Sequence, residues 1–194
     1  MKASVTKQTY HHGDLSRALI ASALALLQGR PGGELSLREV ARATGVSATA
    51  VYRHFPDKET LFAALAEEGF ERLAETQLAA AAEQPDAAAG FKATGRAYVR
   101  FALANPALFR VMTNHMHLTP GDSVAVSNRA KRLLREYVAA LLPADASEMQ
   151  KNVTVVQAWA LVHGLAVLML GGQIPPDPAL IDAAVDDFHP GKRG

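Results

Sequence analysis

Apolar residues recur along this chain at intervals of three and four, and the runs they form are broken by Gly, Pro and Asn rather than by strand-like alternation. Leu15, Ala18, Leu19, Ala23, Leu26 and Leu27 form one stripe on a helix over Asp14 to Gln28, with Asp14 as N-cap and Gly29 as stop. Ser22 falls on the same stripe, where its small hydroxyl can bond back to a carbonyl one turn earlier. The run Gly29-Arg30-Pro31-Gly32-Gly33 predicts a loop. It is no P-loop, because Glu34-Leu35 follows where Lys and Ser or Thr would be needed.

Ser36 stands three residues before Glu39, so hydroxyl and carboxylate can cap a second helix reciprocally, with Leu37, Val40 and Ala41 on its apolar face and Gly45 as its end. Ser47 caps a third helix through Arg53, which must stop near Phe55 because Pro56 disfavours helical geometry before it. Asp57 caps a long fourth helix. Leu61, Phe62, Leu65, Ala66, Gly69, Phe70 and Leu73 keep its period, and good helix formers continue to Gln84. Further helices are predicted at 88–104, 106–114, 122–142, 146–171 and 178–188, divided by Asn105-Pro106, Thr119-Pro120-Gly121, Pro143 and Pro175-Pro176. No segment predicts a strand, and the fold class is all-α.

Composition narrows the function. The 194 residues, 49% hydrophobic and 20% charged, suit a globular chain. Without cysteine there is no disulfide framework, thiolate metal site or cysteine nucleophile, and a cytoplasmic setting is expected. The start of the chain lacks the apolar run of a signal peptide, and the longest apolar stretch, Ala158 to Leu170, is interrupted by His163 and Gly164, so neither export nor a membrane span is expected. Net charge is +1, distributed as +3 over residues 1–60 and −2 over the rest, which points the N-terminal part at a polyanion. There is no Gly-x-Ser-x-Gly elbow, no His-Glu-x-x-His, no dinucleotide fingerprint and no credible carboxylate pair, so an enzyme is not expected and no cofactor is implied.

The constellation that carries function lies between Ser36 and Phe55. Two short helices are joined by Thr44-Gly45-Val46, which allows a sharp turn. On the third helix Val51 and Phe55 can anchor inward with Val46 and Val40, leaving Ala48, Thr49, Tyr52 and Arg53 outward. Such a helix can enter a major groove, with Thr49 and Arg53 near base edges and Tyr52, His54 and Lys58 near phosphates. Lys58 would also sit in the first turn of the fourth helix, where free N–H groups favour an anion. His54 can alternatively serve as a capping or core histidine.

The run from Ser36 to Leu61, with Gly45-Val46-Ser47 and Tyr52-Arg53-His54-Phe55-Pro56-Asp57-Lys58 as its strongest parts, resembles the DNA-binding segment of the TetR family of bacterial regulators. The resemblance covers roughly Asp14 to Leu65. It implies a helix-turn-helix domain at 1–56, with an N-terminal arm at 1–12, and a helical effector-binding and dimerisation domain at 57–194. It also implies a groove reading through Ala48, Thr49 and Ala50, phosphate contacts from Tyr52, His54 and Lys58, and Ser36, Arg38, Ser47 and Arg53 in the same DNA-binding segment. The implied function is a transcriptional regulator, in the family's usual pattern a repressor, that binds double-stranded DNA as a homodimer and answers to a small molecule. Ala48 and Ala50 stand where Asn, Gln, Lys or Arg would make bidentate base contacts worth roughly 1–3 kcal/mol of discrimination each. Specificity is therefore expected from thymine methyl contacts, DNA shape and two half-sites. Tyr10-His11-His12 can lie along phosphates or be solvated.

In the C-terminal half, Trp159-x-x-x-His163-Gly164 resembles a C-terminal domain found in one subgroup of TetR-like regulators. Trp159 and His163 share a helix face and, with Phe101, Phe109, Met112 and His115, are candidates for an effector pocket; a core histidine beside a packed tryptophan is the alternative. Trp159, Gly164, Val167, Leu168, Ile181 and Val185 are the candidate dimer interface, because helix 146–171 is apolar nearly all round from Val162 to Leu170 and the resemblance implies a four-helix dimer core from the last two long helices. His115 and His117, spaced by one residue and without further ligands nearby, do not predict a metal site.

Overall fold

The computed structural model describes residues 12–30, 34–115 and 129–190. Among these, nine helices and no strand are present: α1 (His12–Gln28), α2 (Leu37–Thr44), α3 (Ala48–His54), α4 (Lys58–Ala82), α5 (Ala87–Ala104), α6 (Pro106–Asn114), α7 (Arg129–Leu141), α8 (Glu148–Leu170) and α9 (Pro178–Asp186). The all-α expectation holds, and most boundaries fall within two residues of those the periodicity predicts. Asp14 is a correction: α1 begins two residues earlier, so Asp14 lies inside the first turn, facing the helix dipole rather than capping it. The helix expected at 122–142 is described from Arg129 onward; its earlier part, residues 1–11 of the arm expected at 1–12, the centre of the loop at 31–33 and His117 lie outside the described residues, and His12, the last residue of that arm, is instead the first of α1.

Caps fix the helix starts. Ser36 accepts from the Glu39 N–H at 3.3 Å while the Ser36 N–H donates to Glu39 Oε2 at 2.9 Å, a complete capping box. Ser47, Asp57, Asp86, Ser147 and Asp177 each accept a backbone N–H at the start of α3, α4, α5, α8 and α9. Between α2 and α3, Gly45 adopts φ +75°, the left-handed conformation that returns its N–H to α2 and that a side chain would strain. Arg30 closes the preceding loop on α2, bonding Glu39 Oε1 at 2.7 Å.

One buried apolar cluster runs from Leu19, Leu27, Val40 and Val51 in the first three helices through Leu61 and Leu65 of α4 to Met112, Ala166 and Ile181. The N-terminal helices therefore do not hang from a linker: α1 packs on α2, α4 and α6. A second cluster, Phe91, Val138, Leu142, Val155 and Ala158, closes the far end between α5, α7 and α8. Helix α4 spans both regions; its 25 residues at about 1.5 Å each make a rod of about 37 Å.

Candidate nucleic-acid interface and ligand cavity

Helix α3 is held by two side chains and presents the rest. Val51 is fully buried and Phe55 nearly so, with Val46 half-buried against the same core, while Ala48, Thr49, Tyr52 and Arg53 are exposed. Tyr52 in particular leaves 46% of its surface to solvent. Such a large aromatic group, placed beside Arg53 on a seven-residue helix, is uncovered by anything in the described chain. Ser47 and Arg38 are likewise exposed, and Ala50 and His54 are intermediate.

The electrostatics of this end are set by the caps. Asp57 accepts from both the N–H and the hydroxyl of Thr60 at 2.7 Å, and these bonds lower its carboxyl below the ordinary range. Lys58 follows in the first turn of α4, its Nζ 5.0 Å from the centre of the Phe62 ring, so the stem is steadied while the ammonium stays at the surface. On α2, the Arg30 guanidinium, aided by the hydroxyl and N–H of Ser36, holds the Glu39 carboxyl down to about 2. Asp57 and Glu39 are thus committed to internal partners, and the cations Arg38, Arg53 and Lys58 face outward.

A separate feature lies at the other end of α4. A cavity open to solvent at its mouth lies between α4, α5, α7, α8 and α9 and is walled almost entirely by apolar side chains, among them Phe70, Phe91, Leu134, Val155, Val162 and Phe188. Of the six residues the sequence proposes for a pocket, Trp159 lines this cavity. Phe101, Phe109 and Met112 are buried in the main core instead, at 7%, 3% and 1% exposure. His163 stands behind the wall: its Nδ1 shares a 3.0 Å hydrogen bond with the Tyr98 hydroxyl, and its ring packs against Phe109 and Trp159. Burial pushes the Tyr98 phenol up to about 12, against a smaller opposing effect of a Trp159 hydrogen bond, and burial also lowers His163. His115 turns toward the first turns of α4, its Nε2 3.4 Å from Glu59 Oε1 and its ring against Phe62.

Sequence reasoning missed Gln77, Thr94 and Tyr98, which are polar members of that wall. The polar positions 77 and 94 interrupt otherwise apolar helix faces, a signal legible only once α4 and α5 are known to pair; among the described residues no three His, Cys, Asp or Glu side chains gather as a metal site.

The proposed interface residues divide. Val167 and Leu168 are exposed at 46% and 41%, and the space beside Gly164 is open. Ile181 and Val185 are corrected: they are 2% and 4% exposed because α9 turns them inward, Val185 to within 3.2 Å of a Cβ placed on Gly95. Ion pairs on the flank of α9 accompany that burial, from Arg96 to Asp182 and Asp186 and from Arg100 to Asp182 at 2.8 Å. Along α8, Met149, Val153, Val156, Ala160, Val167 and Leu168 are instead exposed and, with half-buried Gly164 among them, form a continuous stripe. By length and composition α8 is long and apolar enough to cross a membrane, yet its opposite face, with Val155, Ala158, Ala166 and Met169, is packed into the chain's own core.

Residues 19–65 match the family described as bacterial regulatory proteins, tetR family, and residues 91–188 match the tetracyclin repressor-like C-terminal domain. The nucleoid occlusion factor SlmA of Marinobacter nauticus is 29% identical over 115 residues; the match takes in 59% of this chain and 58% of that protein's length. A solved structure of a protein with unknown function from Rhodococcus sp. RHA1 is 36% identical, with a TM-score of 0.71 over 93% of this chain and 94% of the other. The fold is also that of a single-residue variant of TetR from Acinetobacter baumannii AYE, solved in complex with minocycline, at 21% identity and a TM-score of 0.63 over 92% of this chain and 91% of that one. With a capped helix-turn-helix matched at one end and the C-terminal helices matched at the other, the chain belongs to the TetR family of bacterial regulatory proteins.

Proposed function

We propose that this chain is a cytoplasmic, DNA-binding transcriptional repressor that grips a two-fold symmetric operator as a homodimer and lets go when a small molecule occupies the C-terminal cavity. The observation that carries the reading is the two-sided character of α3, on which Val51 and Phe55 are locked inside while Thr49, Tyr52 and Arg53 face outward beside Lys58. Residues 1–56 then form the reading part and 57–194 the sensing and pairing part. Thr49 and Arg53 approach base edges, and Tyr52, His54 and Lys58, with Ser36, Arg38 and Ser47 around them, lie along the phosphates. Ala48 and Ala50 add only apolar contact, so two half-sites and DNA shape supply the rest of the selectivity.

The α8 stripe supports the dimer. Small and apolar residues in helical register, on a helix whose other face is packed, are a surface that an identical helix covers well. The two-fold related partner also supplies the second reading head. The Acinetobacter neighbour holds minocycline, which supports a small-molecule effector here, and the rod of α4 joins the cavity wall at Phe70 to the reading head at Lys58. A ligand that prefers the splayed arrangement releases DNA, by no more than its difference in affinity for the two arrangements, typically about 1–3 kcal/mol.

Selection of binding sites from random duplex DNA with the purified chain tests the reading. Recovery of a palindromic site, with base preferences that change in Thr49→Ala and Arg53→Ala variants, is the expected result. Unchanged preferences in both variants count against the reading helix, and an effector with identical affinity for free and operator-bound protein counts against the release mechanism.

A further inference from the structure

One polar atom of the cavity wall is buried without a hydrogen-bond partner among the described residues. Gln77, on the inward face of α4, is 8% exposed; its Nε2 donates to the Thr94 carbonyl at 3.1 Å, and its Oε1 is buried with no hydrogen bond among the described residues. The amide cannot be turned over to relieve this, because the Thr94 carbonyl is an acceptor and demands the NH₂ end. The other polar side chains of the wall are engaged: the Thr94 hydroxyl donates to the Phe91 carbonyl, the Tyr98 hydroxyl bonds His163, and Lys131 sits over the Trp159 ring. An unsatisfied buried carbonyl is costly, so it is kept only where something offsets that cost.

We propose that the cavity takes an uncharged, mainly apolar ligand bearing one hydroxyl or N–H group, whose hydrogen is accepted by Gln77 Oε1. This rests on the effector-site reading above and gives it a chemical class. The residues described along the wall include no carboxylate to neutralise a cation, and Lys131 is the one charged residue among them. A ligand offering one donor meets Gln77 Oε1, the buried side-chain oxygen of the wall that has no hydrogen bond among the described residues.

Trp159 is the sole tryptophan of the chain and lines the cavity, so its emission reports occupancy directly. The test compares 4-propylphenol with its methyl ether, 4-propylanisole, on the purified full chain and on a Gln77→Met variant, with binding read from Trp159 emission. Wild-type protein binds the phenol about tenfold more tightly than the ether, and Gln77→Met abolishes the preference while binding the ether at least as well. Equal affinities in the wild type, a phenol preference that survives in Gln77→Met, or no response to either probe each overturn the proposal. Should Gln77→Met lose its cooperative melting transition, the wild-type pair alone still decides. The effector reading fails separately: a phenol preference without any change in operator affinity upholds Gln77 as the acceptor but removes the cavity from the control of DNA binding.

Discussion

A Cβ placed on Gly69 of α4 stands 2.7 Å from both Cγ and Sδ of Met112 on α6, and 3.1 Å from Leu108 Cδ1. The two helices touch here at the closest approach a missing side chain allows, near the middle of α4. Met112 is 1% exposed, so an added methyl must displace its side chain within a packed core. Gly69→Ala removes a helix penalty of up to about 1 kcal/mol but overpacks the junction by about 1–3 kcal/mol. A net loss of about 1 kcal/mol in urea denaturation is expected; a more stable variant means that Met112 yields freely and that the junction is loose.

Helix α9 covers the cavity with Val185, and Phe188 follows just beyond its end; its flank is clipped to α5 by Lys92, Arg96 and Arg100 against Asp182 and Asp186. Arg96 is the centre of this ladder, with ion pairs to both acids and its side chain only 23% exposed. Arg96→Ala is expected to cost about 1 kcal/mol, since the acids remain partly solvated and screened. The difference from wild type narrows at high salt, and amide exchange in α9 speeds up more than in α5. Uniform acceleration across the chain counts against α9 as a separately opening cover.

The local chemistry of the reading head was legible because it is written at short range. Ser36 and Glu39, Ser47 and Asp57 act within one turn of themselves, and Val51 with Phe55 marks the inner face by spacing alone. The cavity is the opposite case. Its walls come from five helices far apart in sequence, so Phe101, Phe109 and Met112, aromatic or soft and correctly spaced, read as lining yet are core, while Gln77 and Tyr98 carry no local mark. The same limit applies to α9: Ile181 and Val185 form an apolar stripe, and whether it faces α5 or a partner depends on packing between helices far apart in sequence.

Lys58 tests the phosphate side of the proposed interface without touching base readout. Its ammonium lies in the first turn of α4, tethered over Phe62. Lys58→Ala removes one phosphate-neutralising cation per protomer, so affinity falls for operator and unrelated duplexes alike, and the salt dependence of log K becomes shallower by about one for each phosphate no longer neutralised. Fluorescence anisotropy over a salt series measures both. An unchanged slope places Lys58 off the DNA.

His163 couples the cavity wall to pH. Its Nδ1 meets the Tyr98 hydroxyl at 3.0 Å, and its ring is surrounded by Tyr98, Phe109 and Trp159, with Lys131 beyond the indole. Tyr98, pushed up to about 12 by burial, stays a neutral phenol throughout the neutral range and offers no charge to an imidazolium. Burial therefore holds His163 below its ordinary value of 6.5 in the folded chain. A base with a depressed folded pKa is protonated first in the unfolded state, so stability is complete above 6.5 and declines as pH drops from there toward the folded value, levelling off below it. The contribution of Glu39 lies in a lower window, between 4.5 and about 2, where its cap and ion pair are lost on protonation. Melting temperatures measured from neutral to mildly acidic pH are expected to fall more steeply for the wild type than for His163→Gln, which cannot charge. Parallel curves mean that the imidazole accepts its proton without leaving the wall, and that the Tyr98 bond survives protonation with the phenol oxygen as acceptor.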